Sequence, residues 1–113
     1  MPQDLSRNNN PQQFCIILTT TDSQVIANEM AEALIETNLA SCVQIDNITS
    51  IYKWNGKTTS SSEFRLIIKA KSNNYNQIQD LLVTMHNYEV PEIIKLDIAN
   101  GLTSYLNWLN QDL

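Results

Sequence analysis

At 113 residues and 42% hydrophobic content, the chain is sized for one domain around a single core. Seven basic residues against twelve acidic ones leave a net charge of −5, and Lys53, Lys57, Lys69, Lys71 and Lys95 are scattered, which argues against a phosphate-backbone binding stripe and a nucleic-acid partner. The longest apolar run, Phe14 to Leu18, falls far short of the ~20 residues that cross a bilayer, so no membrane partner is expected.

Residues 1–13 are polar, rich in Asn and Gln and without the apolar stretch of a secretion signal, so they are expected to form a disordered tail before a domain spanning 14–113. A cytoplasmic location is the matching expectation, and Cys15 and Cys42, each in an apolar stretch, are expected as buried, reduced thiols. Phe14 to Thr20 reads as a buried strand, and Thr21, Asp22 and Ser23 end it and cap a helix over Gln24 to Asn38. Ile26, Ala27, Met30, Ala31, Leu34 and Ile35 form the apolar stripe of that helix, while Glu29, Glu32 and Glu36 form its solvated face. Val43, Ile45 and Ile51 alternate with polar residues along a second strand, and Phe64, Leu66, Ile68 and Ala70 along a third. Between them Asn55-Gly56 supplies the two positive φ angles of a type I′ hairpin turn. Tyr75, Ile78, Leu81, Leu82 and Met85 recur at helical spacing, predicting a helix from about Asn73 to His86 with Ser72 or Asn73 as cap. Pro91 blocks its continuation, Glu92 to Ile98 reads as a strand with Ile94, Leu96 and Ile98 on one side, and Asn100-Gly101 turns into a last helix, Leu102 to Leu113. Tyr105, Leu106, Trp108, Leu109 and Leu113 are its expected packing residues. The order is that of an α+β, ferredoxin-like βαββαβ sandwich, with a long β-hairpin and an appended C-terminal helix.

The arm from Leu39 to Trp54 would stretch ~50 Å at ~3.4 Å per residue, against a radius of gyration of only ~13 Å for a domain of this size. Even with a bulge or bend at Asp46 and Asn47, part of the hairpin should overhang. An arm carrying Ile51, Tyr52 and Trp54 exposes strand edges and apolar surface, which predicts burial against other copies in a closed oligomer.

Gly56 and Gly101 are the only glycines and they are far apart, which excludes glycine-rich phosphate loops. The arginines, Arg7 and Arg65, do not form the Arg and Asn pair of an acylphosphatase-like site. Cys42 and His86 are the one nucleophile and base pairing the chain offers, and the apolar neighbours of Cys42 favour an inert thiol, so no enzyme activity is expected. His86, the single histidine, reads first as the last turn of the second helix, where a partly cationic imidazole complements the helix dipole. Its functional alternative is a metal site with Met85, Glu89 or Glu92, completed by a neighbouring chain. Tyr52 and Trp54 read as packing anchors, Lys69 as a snorkelling cation, and Tyr105 and Trp108 as core or interface residues.

The segments ASCV (Ala40 to Val43), TSIYKWNGK (Thr49 to Lys57), LIIKAK (Leu66 to Lys71), HNYEVPEII (His86 to Ile94) and SYLNWL (Ser104 to Leu109) together resemble the CutA family of divalent-cation tolerance proteins. The resemblance implies a tight homotrimer of ferredoxin-like subunits with interlocked hairpins, similar in architecture to PII-type signalling proteins, without a firmly attached catalytic activity. It also implies tolerance of copper and other divalent cations, with copper as the candidate bound metal. In bacterial members credited with a copper site, the ligands are a cysteine near the end of the first strand and two adjacent histidines ending the second helix. Those positions are Thr19, Met85 and His86 here, so one of the three is retained, and Cys15 lies four residues from the strand position. Met85 suits Cu(I) but does not replace an imidazole for Cu(II). Cys42, Trp54, Lys69, Tyr88, Pro91, Glu92 and Trp108 match shared family positions and would line the core and the clefts between subunits. The implied alternative is a PII-like sensor or adapter whose clefts near Trp54, Lys69, Tyr88 and Glu92 take a small anion or a protein partner.

Overall fold

The computed structural model describes residues 13–111. Nearly all of the expected tail, and Leu113 of the expected last helix, lie outside the described residues. Gln13 belongs to the domain, because its carbonyl accepts the Ser72 amide at 2.9 Å.

Strand β1 (Phe14–Thr21) leads into α1 (Gln24–Glu36), whose first turn is capped by the Ser23 hydroxyl accepting the Ile26 amide at 3.2 Å. The helix ends two residues earlier than its apolar pattern suggests, because Asn38 takes a left-handed conformation (φ 61°) while the Leu39 and Ala40 amides close onto the Leu34 carbonyl. β2 (Cys42–Trp54) and β3 (Lys57–Lys71) form the hairpin around Asn55 (φ 51°) and Gly56 (φ 76°), the two positive angles that Asn-Gly predicts. A single 3₁₀ turn, Ser72–Asn74, precedes α2 (Tyr75–Met85). Neither Ser72 nor Asn73 caps that helix; the Asn74 side chain instead donates to the Leu39 carbonyl at 3.1 Å. β4 (Ile93–Asp97) and a short α3 (Thr103–Leu109) complete the chain.

The fold is α+β, a four-stranded antiparallel sheet with three helices, in strand order β2-β3-β1-β4. Cys15, Ile17 and Thr19 of β1 and Leu66, Ile68 and Ala70 of β3 point to the same face as their register requires. Ala27, Met30 and Leu34 of α1 and Ile78 and Leu82 of α2 cover that face and bury it. The opposite face carries Ile16, Leu18, Ile67, Ile94 and Leu96 and, among the described residues, has no such cover along most of its length, so the expected single-sided row of β4 points away from the core. At one end α3 closes it, with Leu106 and Leu109 packed on Phe14 and Ile98 and the Ser41 hydroxyl donating to the Leu109 carbonyl at 2.6 Å.

Asp46 and Asn47, where the arm could have bulged or bent, do not interrupt it. Register between β2 and β3 runs unbroken from Cys42–Lys69 to Trp54–Lys57, because the side chains at the suspected site pair across strands instead. The Arg65 guanidinium is bidentate on Asp46, at 3.1 and 2.7 Å, and Ser62 donates to Asn47 at 3.0 Å. β1 pairs with β3 only as far as Thr21–Phe64, so the distal segments 48–54 and 57–63 pair with each other alone over roughly 24 Å. The molecule is drawn out accordingly, 58 × 27 × 21 Å, with Ile51 70% and Trp54 65% exposed.

Ile68 sits at the centre of the covered face, opposite both Ile17 and Val43. Ile68→Ala is expected to lower stability by about 2–5 kcal/mol, read from the midpoint of urea unfolding at unchanged slope.

Candidate functional site

Helix α2 stops at Met85, and His86 already has extended backbone angles (φ −69°, ψ 146°) while its amide still closes the last turn onto the Leu82 carbonyl at 2.9 Å. His86 is therefore outside the helix it was expected to end. Its ring makes two contacts with fixed polarity. Nε2 lies 2.9 Å from the Thr20 carbonyl, which only accepts, and Nδ1 receives the Tyr88 amide proton at 3.0 Å. Nε2 therefore carries the proton and Nδ1 does not, which makes the ring the neutral Nε2–H tautomer. Burial pushes the imidazole pKa below its usual value, ahead of the opposing pull of the Thr20 carbonyl, Asp22 and Glu63. The expected dipole-stabilised cation is replaced by a neutral ring.

The two residues that follow are also held. Asn87 accepts from the Thr21 hydroxyl at 2.6 Å and donates to Asp22 at 2.7 Å. Tyr88 packs against the His86 ring with centroids 5.0 Å apart, and its hydroxyl donates to Glu63 at 2.7 Å. Desolvation, then the Glu63 contact, drives the Tyr88 pKa far up, so the phenol stays a donor. Glu63, only 9% exposed, and Asn87 were missed in the sequence. Glu63 does stand out as the single acid of β3, ending the run Lys57 to Ser62.

The remaining metal candidates do not converge on His86. Met85 packs against the main core, Glu89 is exposed, and Thr19 is fully buried with a hydroxyl that has no partner. Cys15 is buried and desolvation raises its thiol pKa, so it offers little thiolate. Among the described residues, no three His, Cys, Asp or Glu side chains gather as a metal would require. The donor set implied for copper therefore does not fit at this position.

The other candidates fall in separate places. Cys42, expected to be buried, is half-buried at the α3 end of the open face, directly across from Lys69. Lys69 Nζ lies 3.3 Å from the Tyr105 hydroxyl, and Tyr105 stacks on Trp108 at 5.8 Å. Both aromatic rings are 38% exposed, so the apolar stripe of α3 reaches the core only through Leu106 and Leu109. Register places Cys42 and Lys69 beside Ile16 but His86 beside Thr20, about 13 Å further along β1, so Cys42 and His86 form no catalytic pair. Tyr52 and Trp54 are at the exposed end of the hairpin; Glu92 is exposed and Pro91 half-buried beyond Tyr88. The charge of Glu92 reaches Arg65, whose bond to Asp46 holds that carboxyl below its ordinary pKa. Two hollows beside α1, one reaching from Ile35 to Lys71 and one from Ala31 to Val43, are lined by none of these candidates. No helix among the described residues is long and apolar enough to cross a membrane.

Residues 15–112 match the family described as CutA1 divalent ion tolerance protein. The divalent-cation tolerance protein CutA of Thermus thermophilus is 37% identical over 98 residues, covering 86% of this chain and 95% of that protein. Among solved structures, CutA1 from a psychrotrophic Shewanella, described as a stable protein, superimposes with a TM-score of 0.81 at 41% identity, covering 86% of this chain and 92% of that one. The periplasmic divalent cation tolerance protein CutA of Archaeoglobus fulgidus gives 0.81 at 34% identity, covering 86% and 95%.

A neutral His86 has a consequence for acid stability. Its folded pKa is depressed, so its contribution is complete above the unfolded value of about 6.5 and is lost as pH falls through the lower folded value. Urea unfolding between pH 8 and pH 5 is expected to show stability falling on acidification, with a shallower fall in His86→Gln; equal slopes would contradict the assignment.

Proposed function

The chain belongs to the CutA1 divalent ion tolerance family, and from that premise we propose a homotrimeric, cytoplasmic protein of the response to divalent metal ions, acting through its assembly and without catalysis. The observation that carries the assembly is the hairpin: two strands with no third strand beside them among the described residues hold Ile51, Tyr52 and Trp54 in solvent. An isolated two-stranded ribbon is marginal in water, and its apolar side chains gain most by packing on another copy. The open sheet face offers matching apolar surface, since Ile94 and Leu96 are about half exposed and Ile16, Leu18 and Ile67 lie beside them. Three copies is the number implied by the family resemblance. In this reading the strand order with its two crossing helices is the ferredoxin-like split βαβ unit.

The absence of catalysis is supported by the commitments of the reactive groups. Both His86 nitrogens are bonded within the chain, Cys15 is buried, and Cys42 is far from the imidazole. Cytoplasmic placement draws support from the unpaired Cys15 and Cys42, which suit a reducing compartment. Copper is not assigned to Met85, His86 and Glu89. A second reading, a PII-like sensor or adapter taking a small anion or a protein partner at the clefts between subunits, is favoured by Lys69, whose ammonium is in no ion pair among the described residues and lies against the Tyr105 hydroxyl and ring. A thermal-shift screen separates the two: stabilisation by anionic metabolites, with no response to divalent cations, would favour the sensor.

Trp54→Ala should weaken the trimer by the few kcal/mol of a lost aromatic anchor while leaving the fold of each subunit intact. Native mass spectrometry over a dilution series reads this directly. Unchanged dissociation would place Trp54 outside the interface and count against the hairpin as its anchor.

A further inference from the structure

Three consecutive residues leaving α2 are tied to the end of β1 and to β3. His86 reaches Thr20 and Asn87 reaches Thr21, the last two residues of β1, Asn87 also reaches Asp22 in the turn before α1, and Tyr88 reaches Glu63 of β3. Glu63 lies next to Phe64, the last β3 residue paired with β1, so it marks the root from which the hairpin continues as two strands. Tyr88 is oriented from two sides, by its amide on His86 Nδ1 and by its ring against the imidazole.

We infer that His86 is a positioning residue for the hairpin root, acting through Tyr88 and Glu63 as a neutral clasp, and that it is not a metal ligand in this chain. A cation at Nδ1 would leave the Tyr88 amide without its acceptor. A cation at Nε2 would displace the proton from that nitrogen and break the bond to Thr20. Either exchange leaves a partly buried backbone group unpaired, and among the described residues no cluster of further metal ligands stands ready to offset the loss: Met85 packs against the main core, and the position that the family resemblance gives to a cysteine is the buried Thr19. The clasp also explains why α2 ends where it does, since His86 must leave helical geometry for its ring to face β1. A metal role of the family, carried by this chain, would then run through other groups.

The test uses the full chain, in which His86 is the single histidine and its ring resonances are unambiguous. Nitrogen-15 spectra at about pH 7.5 should show the proton on Nε2 and an unprotonated Nδ1, both unchanged by equimolar Cu(I) under reductant or by equimolar Zn(II). A proton on Nδ1, or stoichiometric displacement of either resonance by metal, would overturn the inference. Amide exchange supplies a second readout that a merely packed ring would not move. His86→Gln should speed exchange of the Tyr88 amide about five- to tenfold, as for one lost hydrogen bond. Tyr88→Phe should keep the His86 tautomer while loosening amides around Glu63. Unaltered Tyr88 exchange in His86→Gln would contradict the clasp even if the variant folds normally.

Discussion

The pairing of β2 with β3 beyond the reach of β1 is the constraint on which the rest of this structure depends. A sheet is stable when each strand has neighbours and a covered face; among the described residues the distal hairpin has one neighbour per strand and leaves Ile51, Tyr52 and Trp54 exposed. Its regular ladder comes from the Asn55-Gly56 turn, which sets the register, and from the cross-strand Arg65–Asp46 and Ser62–Asn47 contacts, which span the segment where a bulge was possible. The unbroken ladder carries the arm beyond the part of the sheet that β1 reaches, and leaves Ile51, Tyr52 and Trp54 exposed there.

The two faces of the sheet divide the labour. The face under α1 and α2 holds the buried core and makes the subunit fold; the other face is left half-apolar and open except where α3 closes one end. At the opposite end the residues after α2 tie the β1 terminus to the hairpin root. The candidate residues accordingly divide into the root cluster around Tyr88, the Lys69–Tyr105–Trp108 group near α3, and the exposed hairpin end with Tyr52 and Trp54. Among the described residues these three groups lie apart, and neither of the two hollows beside α1 is lined by any of them. Bringing residues of different groups together requires more than one copy.

Much of the fold was legible because its signals are local. The apolar run of β1, the alternation in β3, the apolar stripe of α1 and the Asn-Gly turn each depend on residues a few positions apart. The departures have non-local causes. α3 reaches the core through Leu106 and Leu109 alone, so Tyr105 and Trp108, identical in pattern to core residues, are left facing outwards. Cys42 looked buried from its neighbours but lies on the open face, because strand parity relative to a distant partner decides the side. The site was less legible still: the carbonyl that fixes the His86 tautomer is 66 residues away, and the carboxylate bonded to Tyr88 is 25 residues away. A lone histidine near a helix end carries no local sign of either.

In the proposed trimer the projecting hairpin and the open face are completed by other copies of the chain. Sedimentation equilibrium of the unmodified protein at low micromolar concentration measures this. The expected result is one species of three times the 12.9 kDa chain mass, closed against further growth. A stable, soluble monomer at that concentration would contradict it, because the exposed Ile51, Tyr52 and Trp54 would then require no partner.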